Sequence, residues 1–94
     1  MLIKITKSYR DIVALCDKEL IGKTFEENNF QLYVKESFYK DKEIGEVEAI
    51  EILREMVAED ATFNIVGEKS IKTALKAKII DKNAIGRIAG IPFA

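Results

Sequence analysis

Apolar residues run at β spacing through the first third of the chain and at helical spacing through most of the rest. Leu2-Ile3-Lys4-Ile5-Thr6 and Asp11-Ile12-Val13-Ala14-Leu15-Cys16 are rich in strand formers, and Lys7-Ser8-Tyr9-Arg10 between them has a length suited to a hairpin. An antiparallel pair is therefore predicted. In Phe30-Gln31-Leu32-Tyr33-Val34-Lys35 the apolar residues Phe30, Leu32 and Val34 alternate onto one side, the mark of a half-buried strand. Asn28-Asn29 before it reads as a turn, and Asp17-Lys18-Glu19 as the turn that follows the second strand.

The period changes at Gly45. Val47, Ile50, Leu53 and Val57 recur at helical spacing, Ala49, Ile52 and Met56 widen the stripe, and Glu48, Glu51 and Glu55 fall away from it. Gly45 is a tolerable N-cap, Glu46 and Glu48 suit the positive end of the helix dipole, and the helix should stop near Asp60. Thr62 to Val66 then reads as a short strand. Gly67 permits the turn into a second helix, roughly Glu68 to Lys78, which buries Ile71, Ala74, Leu75 and Ala77 or Ile79. Asp81-Lys82-Asn83 reads as a turn, and Ile85 to Ile88 as a last strand before Gly90. The pattern predicts an α+β fold: an antiparallel or mixed sheet, begun by an N-terminal hairpin, with two helices packed on it.

Ninety-four residues, 48% apolar and 33% charged with one proline, fit a single domain over residues 1–94 that buries one core. One cysteine, Cys16, forms no internal disulfide; with no secretory leader and no apolar run of about 20 residues, the expected location is cytoplasmic, without a membrane partner. Beside Asp17 its thiol is expected to be buried and unreactive. The chain has no histidine, which removes Ser-His and Cys-His nucleophile pairs and argues against a structural zinc site. No cofactor is expected.

A net charge of −1 conceals a division along the chain. Residues 1–45 carry 8 basic and 8 acidic side chains, residues 46–60 carry 1 and 6, and residues 61–94 carry 6 and 2. The basic end points to a phosphate-rich partner. The competing explanation is that the acidic and basic segments face one another within the fold. Lys69, Lys72 and Lys76 share one helix face, with Lys78, Lys82 and Arg87 nearby in sequence. Tyr9, Tyr33 and Tyr39 are the aromatics available for base stacking, while Phe25, Phe30, Phe38, Phe63 and Phe93 are read as core.

Gly22-Lys23-Thr24 and Gly67-Glu68-Lys69-Ser70 both have the flavour of a nucleotide-binding loop, and both fail its spacing. The loop needs a glycine five residues before the Gly-Lys-Ser/Thr unit, where the first case has Asp17; in the second, Glu68 splits the Gly-Lys pair and position 63 is Phe63. What remains is a helix terminus after Gly67 that suits one anion, met by backbone N–H groups and Lys69, or else capped locally by Glu68 or Asn64.

Three stretches together carry a family resemblance: Cys16-Asp17-Lys18-Glu19-Leu20-Ile21-Gly22-Lys23-Thr24-Phe25, Phe38-Tyr39 ahead of the acidic helix, and Asn64-Ile65-Val66-Gly67-Glu68-Lys69. Over nearly its full length the chain resembles an archaeal family of short single-domain proteins, domain of unknown function 424. The resemblance implies a fold and no activity; where it implies a role, that role is RNA binding or translation. Members of that family often carry a histidine after the proline of the C-terminal segment, where this chain has Phe93 after Pro92. That departure favours binding over proton-transfer chemistry.

The expected function is a non-enzymatic module that contacts RNA or a ribonucleoprotein through Lys23, Asn64, Gly67, Lys69, Lys72 and Lys76. One alternative is a protein-interaction or homodimeric assembly subunit that docks through its acidic helix or a strand edge. Another is a small-molecule-binding protein or enzyme in which Asp17, Glu19 and Glu68 converge with Lys23, Asn64 and Lys69 on one pocket.

Overall fold

A computed structural model describes all of residues 1–94. Strands β1 (Leu2–Thr6) and β2 (Ile12–Cys16) form the predicted hairpin, with Leu2 opposite Cys16 and Thr6 opposite Ile12. A 3-10 turn, Lys18–Leu20, leads to a second hairpin, β3 (Thr24–Glu27) and β4 (Phe30–Tyr33). A one-turn helix α1 (Glu36–Tyr39) and the short β5 (Lys42–Glu43) precede α2 (Glu46–Ala58), β6 (Thr62–Val66) and α3 (Glu68–Lys76). A 3-10 turn at Lys82–Ala84 and the hairpin β7 (Gly86–Ile88) and β8 (Ile91–Phe93) complete the chain.

The main sheet has the order β5-β1-β2-β6-β8-β7, and β3-β4 stands as a separate two-stranded sheet. It is mixed: β6 lies parallel to β2, while the other pairs are antiparallel. Alternation along the strands divides the core in two. Ile3, Val13, Leu15 and Ile65 point to the face covered by α2 and α3, where they meet Leu53, Met56, Ile71 and Ala74. Leu2, Ala14, Cys16 and Val66 point to the other face and pack with Leu20, Val34 and Tyr39 from the 3-10 turn, hairpin and α1 layer. The α+β expectation of a mixed sheet with two packed helices therefore describes the molecule, with α1 as a third, single-turn helix.

Differences from the sequence pattern have local causes. Helix α2 buries Ala49, Leu53 and Met56, and leaves Val47 and Val57 exposed at 73% and 47%, so the buried stripe is rotated from the predicted one. Helix α3 ends two residues early. Lys78 turns left-handed at φ 61°, Lys78 N–H donates to the Leu75 carbonyl and Ile79 N–H to the Ala74 carbonyl, which closes the helix with a Schellman motif. Asp60, at φ 59°, closes α2 in the same way, its own N–H reaching Val57 and that of Ala61 reaching Met56. In the outer hairpin Val34 is buried and Leu32 half-buried, but Phe30 at the tip is exposed, where the hairpin reaches the edge strand β7.

The chain also continues past Gly90 into β8, although Pro92 sits in the middle of that strand. Ile65 and Ala94 exchange both ladder bonds, and Gly67 N–H donates to the Pro92 carbonyl. The bond that Pro92 cannot donate would fall on the Gly67 carbonyl, which already accepts from Ile71 N–H to begin α3. The proline thus stands where the sheet hydrogen bond gives way to the helix. No helix of the molecule is long and apolar enough to cross a membrane.

Candidate functional site

The junction from β6 into α3 holds its own anion. Gly67 adopts φ 110° and ψ 155°, and its missing side chain lets the Asp17 carboxylate approach the helix terminus. Asp17 Oδ2 accepts from Lys69 N–H at 3.0 Å, while Oδ1 accepts from Ser70 N–H and from the Ser70 hydroxyl, each at 2.7 Å. Asp17 is 3% exposed and Ser70 fully buried. A carboxylate here satisfies two of the orphan donors and faces the positive end of the helix dipole. The group at this terminus is therefore neither an external anion nor a cap from Glu68 or Asn64. It is a side chain from the end of β2.

The polar residues read together from the sequence are spread over different parts of the fold. Lys23 leads into β3, in the layer on the opposite side of the sheet from α3, and its side chain is exposed. Asn64 pairs with Ala14 on that same far face. Glu19 is exposed on the 3-10 turn, whereas Glu68 is drawn to Arg87 at 3.0 Å. Asp17, Glu19, Lys23 and Glu68 do not converge on a pocket.

The basic residues do share a surface. A groove of about 490 Å³ runs between α3 and the C-terminal segment, lined by Glu68, Lys69, Lys72, Lys82 and Arg87 over an aliphatic floor of Ile71, Leu75 and Ile85. A second groove, about 380 Å³, lies on the other side of α3 between Lys69, Lys72, Lys76 and the Ile44-Gly45-Glu46 corner. Lys69 and Lys72 line both, so their part of α3 is a cationic ridge with a groove on either side. Lys76 is tied to Glu46 of α2, whose carboxyl is held below its ordinary value first by Lys76 and also by the charge of Lys72, and Arg87 is tied to Glu68. Lys69, Lys72 and Lys82 form no intramolecular ion pair.

Lys82, Leu75 and Ile85 enter the site through tertiary folding. Helical periodicity assigns Leu75 to the core, and Ile85 is read only as the start of a last strand; both are half-buried, packed against the core and lining the groove. The tyrosines stand elsewhere. Tyr39 is buried, Tyr33 lies on the outer hairpin, and Tyr9 is wholly exposed at the β1-β2 tip, next to Arg10, Glu59 and Asp60.

Cys16 is closed off from solvent, and burial followed by the neighbouring Asp17 charge pushes its thiol up to about 11. Burial likewise raises the Tyr39 phenol to about 12. Both groups keep their proton in the fold and release it earlier when unfolded, at their ordinary values of 9.0 and 10.0. The folded state then binds more protons, so stability falls as pH rises, from 9 to about 11 for Cys16 and from 10 to about 12 for Tyr39. Thermal unfolding measured across that range should show the decline, and Tyr39→Phe should flatten its upper part. An unchanged slope in that variant would refute the assignment.

A family profile described as "Protein of unknown function (DUF424)" matches residues 5–94. The fold is similar to a crystal structure described as an uncharacterized conserved protein from Methanopyrus kandleri, with a TM-score of 0.86 and 26% identity over 99% of this chain and 86% of that one. No match was found among curated proteins.

Proposed function

The chain belongs to the DUF424 family, proteins of unknown function, and from the surface around α3 we propose that it is a non-enzymatic binding module that contacts RNA phosphates. The observation that carries this reading is the set of three cations, Lys69, Lys72 and Lys82, gathered on one groove with no carboxylate at ion-pair distance while Lys76 and Arg87 beside them are paired. Three cations held around a shared concave surface create a local positive potential that overall neutrality does not cancel at short range. Phosphate contact positions a nucleic acid without reading its bases.

The phosphate-binding set then contracts to Lys69, Lys72 and Lys82. Gly67 acts by shaping the helix start, Lys23 and Asn64 lie across the sheet, and Lys76 is held by Glu46. Electrophoretic shift of tRNA and rRNA fragments at low salt should show binding at roughly 10 μM, with affinity falling more than tenfold between 50 and 200 mM salt. Lys72→Gln with Lys82→Gln should abolish the shift and leave the unfolding temperature unchanged, since neither side chain makes an internal bond. Absence of any shift by the unmodified protein at tens of micromolar would overturn the reading.

A further inference from the structure

The groove beside α3 has features that phosphate contact alone does not use. Its floor is the aliphatic trio Ile71, Leu75 and Ile85, and its cations stand on both walls, Lys69 and Lys72 on α3 and Lys82 opposite. At about 490 Å³ it falls within the range of small-ligand sites, the scale of one nucleotide and far smaller than a duplex. A duplex presents phosphates and sugars outward and keeps its base faces stacked, so it could touch the lysines and would leave the floor empty. An unpaired strand can splay a base out, and an extruded base can be held against apolar side chains as well as aromatic ones.

We propose that this groove takes an unpaired nucleic-acid strand, one base lying on Ile71, Leu75 and Ile85 while the adjoining phosphates meet Lys69, Lys72 and Lys82. The inference rests on the phosphate-contact reading above and adds the class of strand. Lys69 and Lys72 are one helical turn apart, a rise of about 4.5 Å, which a flexible backbone can match with neighbouring phosphates. The track is short, because the Glu68–Arg87 pair at one end and the Glu46–Lys76 pair on the far side of the ridge are each close to neutral. Aliphatic side chains offer a face without base-specific hydrogen bonds, so the site tolerates sequence.

Three probes separate the possibilities at low salt: a labelled ten-nucleotide oligouridylate, a blunt RNA duplex of the same length, and inorganic polyphosphate. Fluorescence anisotropy should show the single strand bound at least tenfold more tightly than the duplex. Its logarithmic affinity should fall with logarithmic salt at a slope near −2, about −0.7 for each of three phosphates. Ile85→Ser should weaken the single strand about fivefold and leave polyphosphate unchanged. Leu75→Ser provides the same comparison should the first variant fail to fold. Equal binding of duplex and single strand, or equal weakening of strand and polyphosphate by the floor variants, overturns the unpaired-strand inference and leaves phosphate contact standing. If none of the three probes binds, both fail.

Discussion

Asp17→Ala is expected to lower stability by about 3 to 5 kcal/mol, among the largest effects of any single truncation in this chain. The carboxylate accepts three hydrogen bonds at 2.7 to 3.0 Å and is almost wholly enclosed. Its removal leaves two backbone donors of α3 and the buried Ser70 hydroxyl without a partner, in a space too closed for bulk water to replace it. For a domain of this size each kcal/mol moves the unfolding temperature by roughly 4 to 8 °C, so a fall on the order of 20 °C is expected. Asp17→Asn keeps one acceptor but turns an NH2 group toward a donor, and should fall between. Ser70→Ala removes one bond of the three and should cost about 1 kcal/mol. The order Ala, Asn, then Ser70→Ala, read by chemical and thermal unfolding, checks the capping role; an Asp17→Ala protein within 1 kcal/mol of the original would refute it.

That capping contact also marks the limit of what the sequence reveals. The β6-Gly67-α3 unit is legible because strand propensity, a glycine and helical periodicity follow one another within fifteen residues. The carboxylate that completes it comes from 52 and 53 positions earlier. No local rule selects Asp17 over Glu68 or Asn64, both of which are closer along the chain. Asp17 is brought there by the parallel pairing of β2 with β6, which sets Cys16 beside Val66 and so places the next residue of each strand together. The same topology explains why the family resemblance joins stretches around Cys16 and Gly67: distant in sequence, they form one corner of the fold. Strands β3 and β8 were hidden for simpler reasons. Thr24-Phe25-Glu26-Glu27 lacks an apolar alternation because only Phe25 is half-buried and Glu27 instead accepts from Ala89 N–H beside β7, and Pro92 masks β8 because its missing donor is harmless only where α3 begins.

The candidate groove was legible in part. Helical spacing placed Lys69 and Lys72 on one face, which the structure shows, but it could not tell that Lys76 is neutralised by Glu46 or that Lys82 lies across from them. Charge pairing across elements depends on how α2 and α3 pack, and that packing shifted the α2 stripe away from Val47 and Val57. A cation count taken from sequence therefore overstates the ridge at its C-terminal end and includes Lys82 without placing it on the opposite wall.

Gly67→Ala should destabilise the protein by about 4 kcal/mol, for two separable reasons. Its φ of 110° with ψ of 155° lies in a region that residues with a side chain rarely enter, worth about 1 to 3 kcal/mol on its own. A Cβ there would also lie 2.3 Å from Asp17 Cγ and 2.6 Å from both carboxylate oxygens. Asp17 cannot swing aside without breaking the bonds that hold α3, and Gly67 cannot retreat while its N–H is bonded to Pro92 at 2.9 Å and its carbonyl to Ile71. The two residues are therefore coupled. In an Asp17→Ala background the steric part disappears, and Gly67→Ala should then cost about 2 kcal/mol, the backbone strain alone. A double-mutant cycle measured by denaturant unfolding reads the difference directly. Equal costs in the two backgrounds would show that backbone strain, and not the close approach of the carboxylate, is the reason a glycine stands at this junction.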